Sequence, residues 1–130
     1  MSSDAPHPIL SAAETQQLVE KAGVPYIDVR TPHEFAEGHV PKSLNVPVAL
    51  EGAAGPHDHD KLEPNPAFVE EVRKLFPDTK AEVIVACGAG RRAARAAALL
   101  SEAGYTGVKV FRDGMKGWTA EGLAVEKPGA

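Results

Sequence analysis

The spacing of apolar side chains changes several times along this chain, and each change marks an element. Short apolar runs occur at Tyr26-Ile27-Asp28-Val29, Leu44-Asn45-Val46, residues 82–86 and residues 108–111, and these read as strands. The run from Glu82 to Ala86 is β-branched and continuously apolar, as expected of a strand buried on both faces. Elsewhere the period is helical. Phe68, Val72, Leu75 and Phe76 recur at spacings of four, three and one, giving a single apolar face that starts after Asn65-Pro66 and stops at Pro77. An alanine-rich stretch over 91–103 predicts a helix ending at Gly104, and a short helical turn is expected near 115–120.

Start signals place two more helices. Ser11-Ala12-Ala13-Glu14 is a capping box, in which the serine hydroxyl accepts from a backbone N–H and the glutamate reaches back. That helix runs to about residue 22, where Gly23 fits a stop. Thr31-Pro32-His33-Glu34 repeats the box with proline at the first helical position. Residues 49–64, rich in glycine, proline and polar side chains, read as a surface loop. Strands alternating with helices imply an α/β domain, a parallel sheet with helices on both faces. Ligands in such sheets lie beyond the carboxyl ends of the strands.

The chemistry sits at one such end. Cys87, the only cysteine, directly follows the run Val83-Ile84-Val85-Ala86 and opens the turn Gly88-Ala89-Gly90-Arg91-Arg92. A thiol placed there faces backbone N–H groups and the positive end of a helix, with two arginines close behind. All of these favour the thiolate, the nucleophilic form. Cysteines that merely pack in a core are common, but packing alone does not call for a Gly-x-Gly-Arg-Arg turn.

At 130 residues, the chain is long enough for one domain with its own core. A net charge of −4 and a pI near 5.7 argue against nucleic acid or a membrane surface as partner. The positive charge of the Cys87 turn is therefore local and suits a small anion. A single cysteine permits no internal disulfide. The first residues have neither a secretory signal pattern nor the arginines of a transit peptide. A reducing compartment is expected, either cytoplasm or an organelle matrix or stroma, and not secretion. His57-Asp58-His59-Asp60 could bind zinc or nickel weakly, but nothing completes a tetrahedral set, so neither a functional metal nor a cofactor is expected.

Three motifs in order carry a resemblance. Asp28-Val29-Arg30-Thr31-Pro32-His33-Glu34-Phe35, Gly38-His39-Val40-Pro41 and Asn45-Val46-Pro47 together resemble the first signature of rhodanese-type sulfurtransferases. Cys87-Gly88-Ala89-Gly90-Arg91-Arg92 resembles their active-site turn, and Asp113-Gly114-Met115-Lys116-Gly117-Trp118 their closing element. The loop at 51–55 and the start of the 65–76 helix look most like the plant senescence-associated single-domain group. The resemblance implies a rhodanese-like fold with a central five-stranded parallel sheet. It implies a domain over 10–126, with tails at 1–9 and 127–130. It further implies that Cys87 takes a sulfane sulfur from a donor such as thiosulfate, holds it as a persulfide and yields it to cyanide or a cellular thiol. Gly88, Ala89, Gly90, Arg91 and Arg92 would form the anion-binding loop, with Arg91 at the rim and Arg92 turned inward to fix the turn.

Other residues fall to support roles. Asp28 and Arg30 are expected to form a structural ion pair or to bind loop backbone, His39 to pack and hydrogen-bond, and Trp118 to support the core or a loop. Related phosphatases and arsenate reductases carry one more residue between cysteine and arginine. Here Arg92 is five positions after Cys87, the short form, which argues for sulfur transfer. There are departures from the family pattern. Gly88 stands where some thiosulfate enzymes have a basic residue. Glu34 aligns with a substrate-facing arginine of the two-domain enzymes, and a carboxylate there is expected to repel a sulfonate. Lys42-Ser43 replaces a usual Gly-Ala pair, and Asp113 replaces a glycine. A second reading makes the domain a persulfide carrier or partner-binding module that delivers sulfur to another protein.

Overall fold

The computed structural model describes residues 8–50, 63–87 and 91–127. In chain order the elements are α1 (Ala12–Glu20), β1 (Tyr26–Asp28), α2 (Pro32–Glu37), β2 (Leu44–Asn45), β3 (Ala49–Leu50), β4 (Glu63–Pro64), α3 (Phe68–Leu75), β5 (Glu82–Ala86), α4 (Arg91–Glu102), β6 (Gly107–Phe111) and α5 (Gly114–Ala120). Four strands make a parallel sheet in the order β2-β1-β5-β6. The strand expected to be buried on both faces is β5, at the centre.

β5 divides the core by its alternation. Val83 and Val85 face one side, where they cluster with Ile27, Val29, Phe68, Val72, Ala93, Ala96, Ala97 and Leu100. Ile84 and Ala86 face the other, with Tyr26, Phe111, Ala12, Val19 and Trp118. α3 and α4 therefore cover one face, and α1 and α5 the other. All four residues from Val83 to Ala86 are 0% exposed. Burying each of the larger ones contributes about 1.5–3 kcal/mol relative to exposure. The alanines of α4 bring that helix close to the sheet because they have little side chain to interpose.

The fifth strand of the expected sheet is not present among the described residues. Instead, the chain before α1 makes a single parallel bridge to β6, Ile9 opposite Val110. Val110 N–H donates to Pro8 O and Leu10 N–H to Val110 O, both at 2.8 Å. Pro8 has no N–H to offer, which limits this pairing to a bridge. Pro8 and Ile9, placed in a tail on sequence, are thus joined to the sheet; residues 1–7 and 128–130 lie outside the described residues. The loop expected over 49–64 has paired ends, since β3 and β4 are antiparallel. Its middle, with His57-Asp58-His59-Asp60, also lies outside the described residues.

Both capping boxes form. Glu14 N–H donates to Ser11 Oγ and Ser11 N–H to Glu14 Oε1, and Thr31 and Glu34 repeat the exchange. α4 ends as read: Tyr105 N–H donates to Leu100 O at 3.0 Å, and Gly104 adopts a φ of 101°. A segment after α5 folds back over the first signature. His39 and Glu126 exchange two backbone hydrogen bonds at 2.8 Å, and Trp118 Nε1 donates to Ala124 O.

Candidate active site

Register brings the candidate residues to one level. Asp28 is paired with Asn45 on one side and Ala86 on the other, and Ala86 is paired with Phe111. The four strands therefore release their following residues along the same edge of the sheet. Cys87 leaves the centre of that edge and is held on both flanks. The carbonyl of Ala86 before it accepts from Val29 N–H at 2.8 Å, and its own carbonyl accepts from Met115 N–H at 2.9 Å. The residue is 2% exposed and joins the core cluster on the α4 face. α4 begins at Arg91, so its N-terminal end opens onto the turn. Gly88, Ala89 and Gly90 lie outside the described residues, and with them the expected nest of N–H groups. The same holds for the side chain of Arg91 and its expected place at the rim.

Next to this turn, β1 ends in a clamp. Arg30 Nη2 meets Asp28 Oδ2 at 2.8 Å, and Arg30 Nε donates to both Asp28 carboxylate oxygens. Arg30 backbone N–H also donates to Asp28 Oδ1, and Nη2 reaches Gly38 O at 2.7 Å. Asn45 Nδ2 donates to the carbonyls of Asp28 and Arg30. Both charged residues are buried. Breaking such a pair leaves an uncompensated buried charge and costs about 3–5 kcal/mol. The clamp fixes the direction in which the chain enters α2.

Glu34 and Arg92 meet where sequence reasoning kept them apart. Arg92 Nη1 donates to Glu34 Oε1 at 2.6 Å and Nη2 to Glu34 Oε2 at 3.0 Å, a bidentate pair spanning 58 residues. The carboxylate expected to repel a sulfonate is therefore charge-compensated. Arg92, expected to turn inward and fix the turn, ends on a side chain of α2. Burial works against ionisation of Glu34, but the Arg92 hydrogen bonds and charge, helped by Thr31, overcome it and pull the carboxyl down from 4.5 to about 2. Arg92 moves the opposite way. Burial disfavours its charge, but Glu34 and, more weakly, Cys87 and Asp28 raise its pKa above the ordinary arginine value.

Tyr26 was missed altogether on sequence. It lies on β1, is 1% exposed, and its hydroxyl has no hydrogen-bond partner among the described residues. Burial raises its pKa well above the ordinary value, with the Asp28 charge adding to this, Arg30 opposing it and Cys87 reinforcing it. An aromatic residue in an apolar strand gives no signal that its polar tip will lie near charges. His39 stacks on Phe35 at 3.9 Å with nearly parallel rings, and its Nδ1 lies 3.0 Å from Val40 O and 3.2 Å from Ser43 Oγ. Trp118 is buried edge-on to Phe111. Among the described residues, no cluster of three or more His, Cys, Asp or Glu side chains is placed to hold a metal ion. Nor is any described helix long and apolar enough to cross a membrane.

A cysteine leaving a central strand of a parallel sheet, four positions ahead of a helix N-terminus, defines the class: an α/β domain with its one thiol at the carboxyl edge of the sheet. Residues 11–121 match the rhodanese-like domain family. The chain belongs to that family and carries one such domain of the sulfurtransferase type. It is 40% identical over 102 residues to the chloroplastic thiosulfate sulfurtransferase 16 of Arabidopsis thaliana, covering 78% of this chain and 79% of that one. It is 35% identical to the senescence-associated protein DIN1 of Raphanus sativus over 92% of its own length, but spans only 60% of that relative. Its fold superposes with a TM-score of 0.72 on a crystal structure of a thiosulfate sulfurtransferase from Pseudomonas aeruginosa, at 27% identity. That match covers 93% of this chain and 20% of the other.

Proposed function

We propose that the chain moves a sulfane sulfur from a donor such as thiosulfate, through a persulfide on Cys87, to cyanide or a cellular thiol. The observation that carries this reading is the position of Cys87, at the carboxyl end of the central strand β5 and four residues before the start of α4. In the first half-reaction the Cys87 thiolate attacks the outer sulfur of thiosulfate. The S–S bond breaks, and sulfite leaves with its electron pair. In the second, cyanide or an acceptor thiolate attacks the outer sulfur of the persulfide. The Sγ–S bond breaks, the acceptor keeps the sulfur, and the Cys87 thiolate is restored. A dipole-rich turn suits both anionic states of the cysteine, because fixed N–H groups need no reorganisation between them.

Spacing supports sulfur transfer over oxyanion hydrolysis. Four residues separate Cys87 from Arg92, so fewer N–H groups are available to surround a tetrahedral phosphate or arsenate. The test measures steady-state transfer from thiosulfate and from 3-mercaptopyruvate to cyanide and to a small thiol. Hydrolysis of an aryl phosphate is measured alongside at matched concentrations. Transfer from at least one donor, well above phosphate hydrolysis, is expected. Phosphate turnover equal to or faster than sulfur transfer would reverse the reaction class.

A further inference from the structure

We propose that Glu34 is a positioning residue for the Cys87 turn: its carboxylate fixes the Arg92 guanidinium and cancels its charge, so that Arg92 orients the turn rather than recruiting an anionic donor. Arg92 is the second residue of α4, immediately after the turn, and its side chain ends on α2. The pair has the fork geometry that gives guanidinium–carboxylate contacts both strength and direction. It is also partly withdrawn from solvent, with Arg92 and Glu34 side chains 21% and 12% exposed. Glu34 in turn stands on a rigid base. Its Oε1 accepts from Thr31 N–H and Oγ, and Thr31 is fully buried beside the Asp28–Arg30 clamp. The hydrogen bonds therefore run unbroken from the end of β1, through α2, to the start of α4.

Charge balance gives the pair a further effect. Around the end of β5, β1 supplies Tyr26, opposite Ile84, and Asp28, opposite Ala86, with Arg30 just beyond; α2 supplies Glu34, and α4 supplies Arg92. The β6–α5 connection adds Arg112 and Asp113, both exposed and screened by water. Asp28 and Arg30 cancel each other. Glu34 cancels Arg92, whose charge is coupled to Cys87. Removing the Glu34 charge alone would leave the Arg92 guanidinium, five positions after Cys87, without its compensating carboxylate.

The donor-binding part of this inference rests on the sulfur-transfer reading; the alkylation experiment does not. Glu34→Gln keeps the shape and one acceptor oxygen but removes the charge. Cys87 alkylation by a neutral reagent, followed against pH, should move its midpoint down by about half a unit or more. KM for thiosulfate should fall about threefold or more with kcat little changed, the pattern of added uniform binding. Glu34→Ala also loses the anchor, and kcat should fall about tenfold or more. Arg92→Met supplies the reciprocal arm and should move the alkylation midpoint upward. It also decides the matter should Glu34→Gln fail to fold. Ser11→Ala, which removes the cap of α1 and touches neither Glu34 nor Arg92, should lower the melting temperature and leave the alkylation curve in place. If Glu34→Gln merely melts earlier, like Ser11→Ala, with no shift in alkylation and no change in KM, then Glu34 is only a helix cap and the proposal fails. Absence of sulfur transfer in the wild type would instead overturn the proposed function, with the alkylation curves still deciding the role of Glu34.

Discussion

Tyr26 is in the core for its ring. It meets Phe111 edge-on at 6.4 Å, while its hydroxyl has no partner among the described residues. A buried hydroxyl without a partner costs about 1–3 kcal/mol in lost hydration. Tyr26→Phe keeps the ring and removes that cost, so the variant should melt at higher temperature than the wild type. A lower melting temperature would show that the hydroxyl is satisfied and contributes to the fold. Lys42 shows a residue-scale departure whose consequence is local. It replaces a glycine of the family pattern and takes a φ of 70°, a left-handed conformation that glycine adopts at less cost. Features of this kind were readable when partners were close in sequence. Ser11 with Glu14 and Thr31 with Glu34 were legible because each pair spans three positions, whereas the second bond of Glu34, to Arg92, crosses 58.

At the scale of elements, the Glu34–Arg92 pair ties α2 to α4 and makes stability depend on pH. Glu34 has a folded pKa of about 2 against an ordinary 4.5, so it binds its proton less readily when folded. Its contribution is complete above the unfolded value and is lost as pH falls through the folded one. Urea unfolding of the wild type and of Glu34→Gln should differ by on the order of 2 kcal/mol near pH 6, and the difference should close toward pH 2. A difference that does not change with pH would mean the carboxylate charge contributes nothing. The elements themselves were largely legible, because β5, α3 and α4 declare their periods within a few residues. What was not legible depends on pairing at a distance. The bridge of Ile9 to β6 and the pairing of β3 with β4 require partners that no local period identifies.

For the whole molecule, the decisive fact is that the sheet ends its strands at one level. Asp28, Asn45, Ala86 and Phe111 are in register, and the first signature, the cysteine turn and the closing element all follow from them. The order of the three motifs showed that they belong together. The register shows how: Val29 and Met115 each donate a backbone hydrogen bond at the ends flanking Cys87. That arrangement holds Cys87, the only cysteine in the chain, at the carboxyl edge of the sheet. The most direct test is intact-mass spectrometry after incubation with thiosulfate, on the wild type and on Cys87→Ala. The wild type should gain the mass of one sulfur atom and lose it on addition of cyanide. Cys87→Ala should keep its fold, gain nothing and show no sulfur transfer to cyanide. A sulfur adduct on the folded alanine variant, or turnover near the wild-type rate, would contradict the assignment of Cys87 as the sulfur carrier.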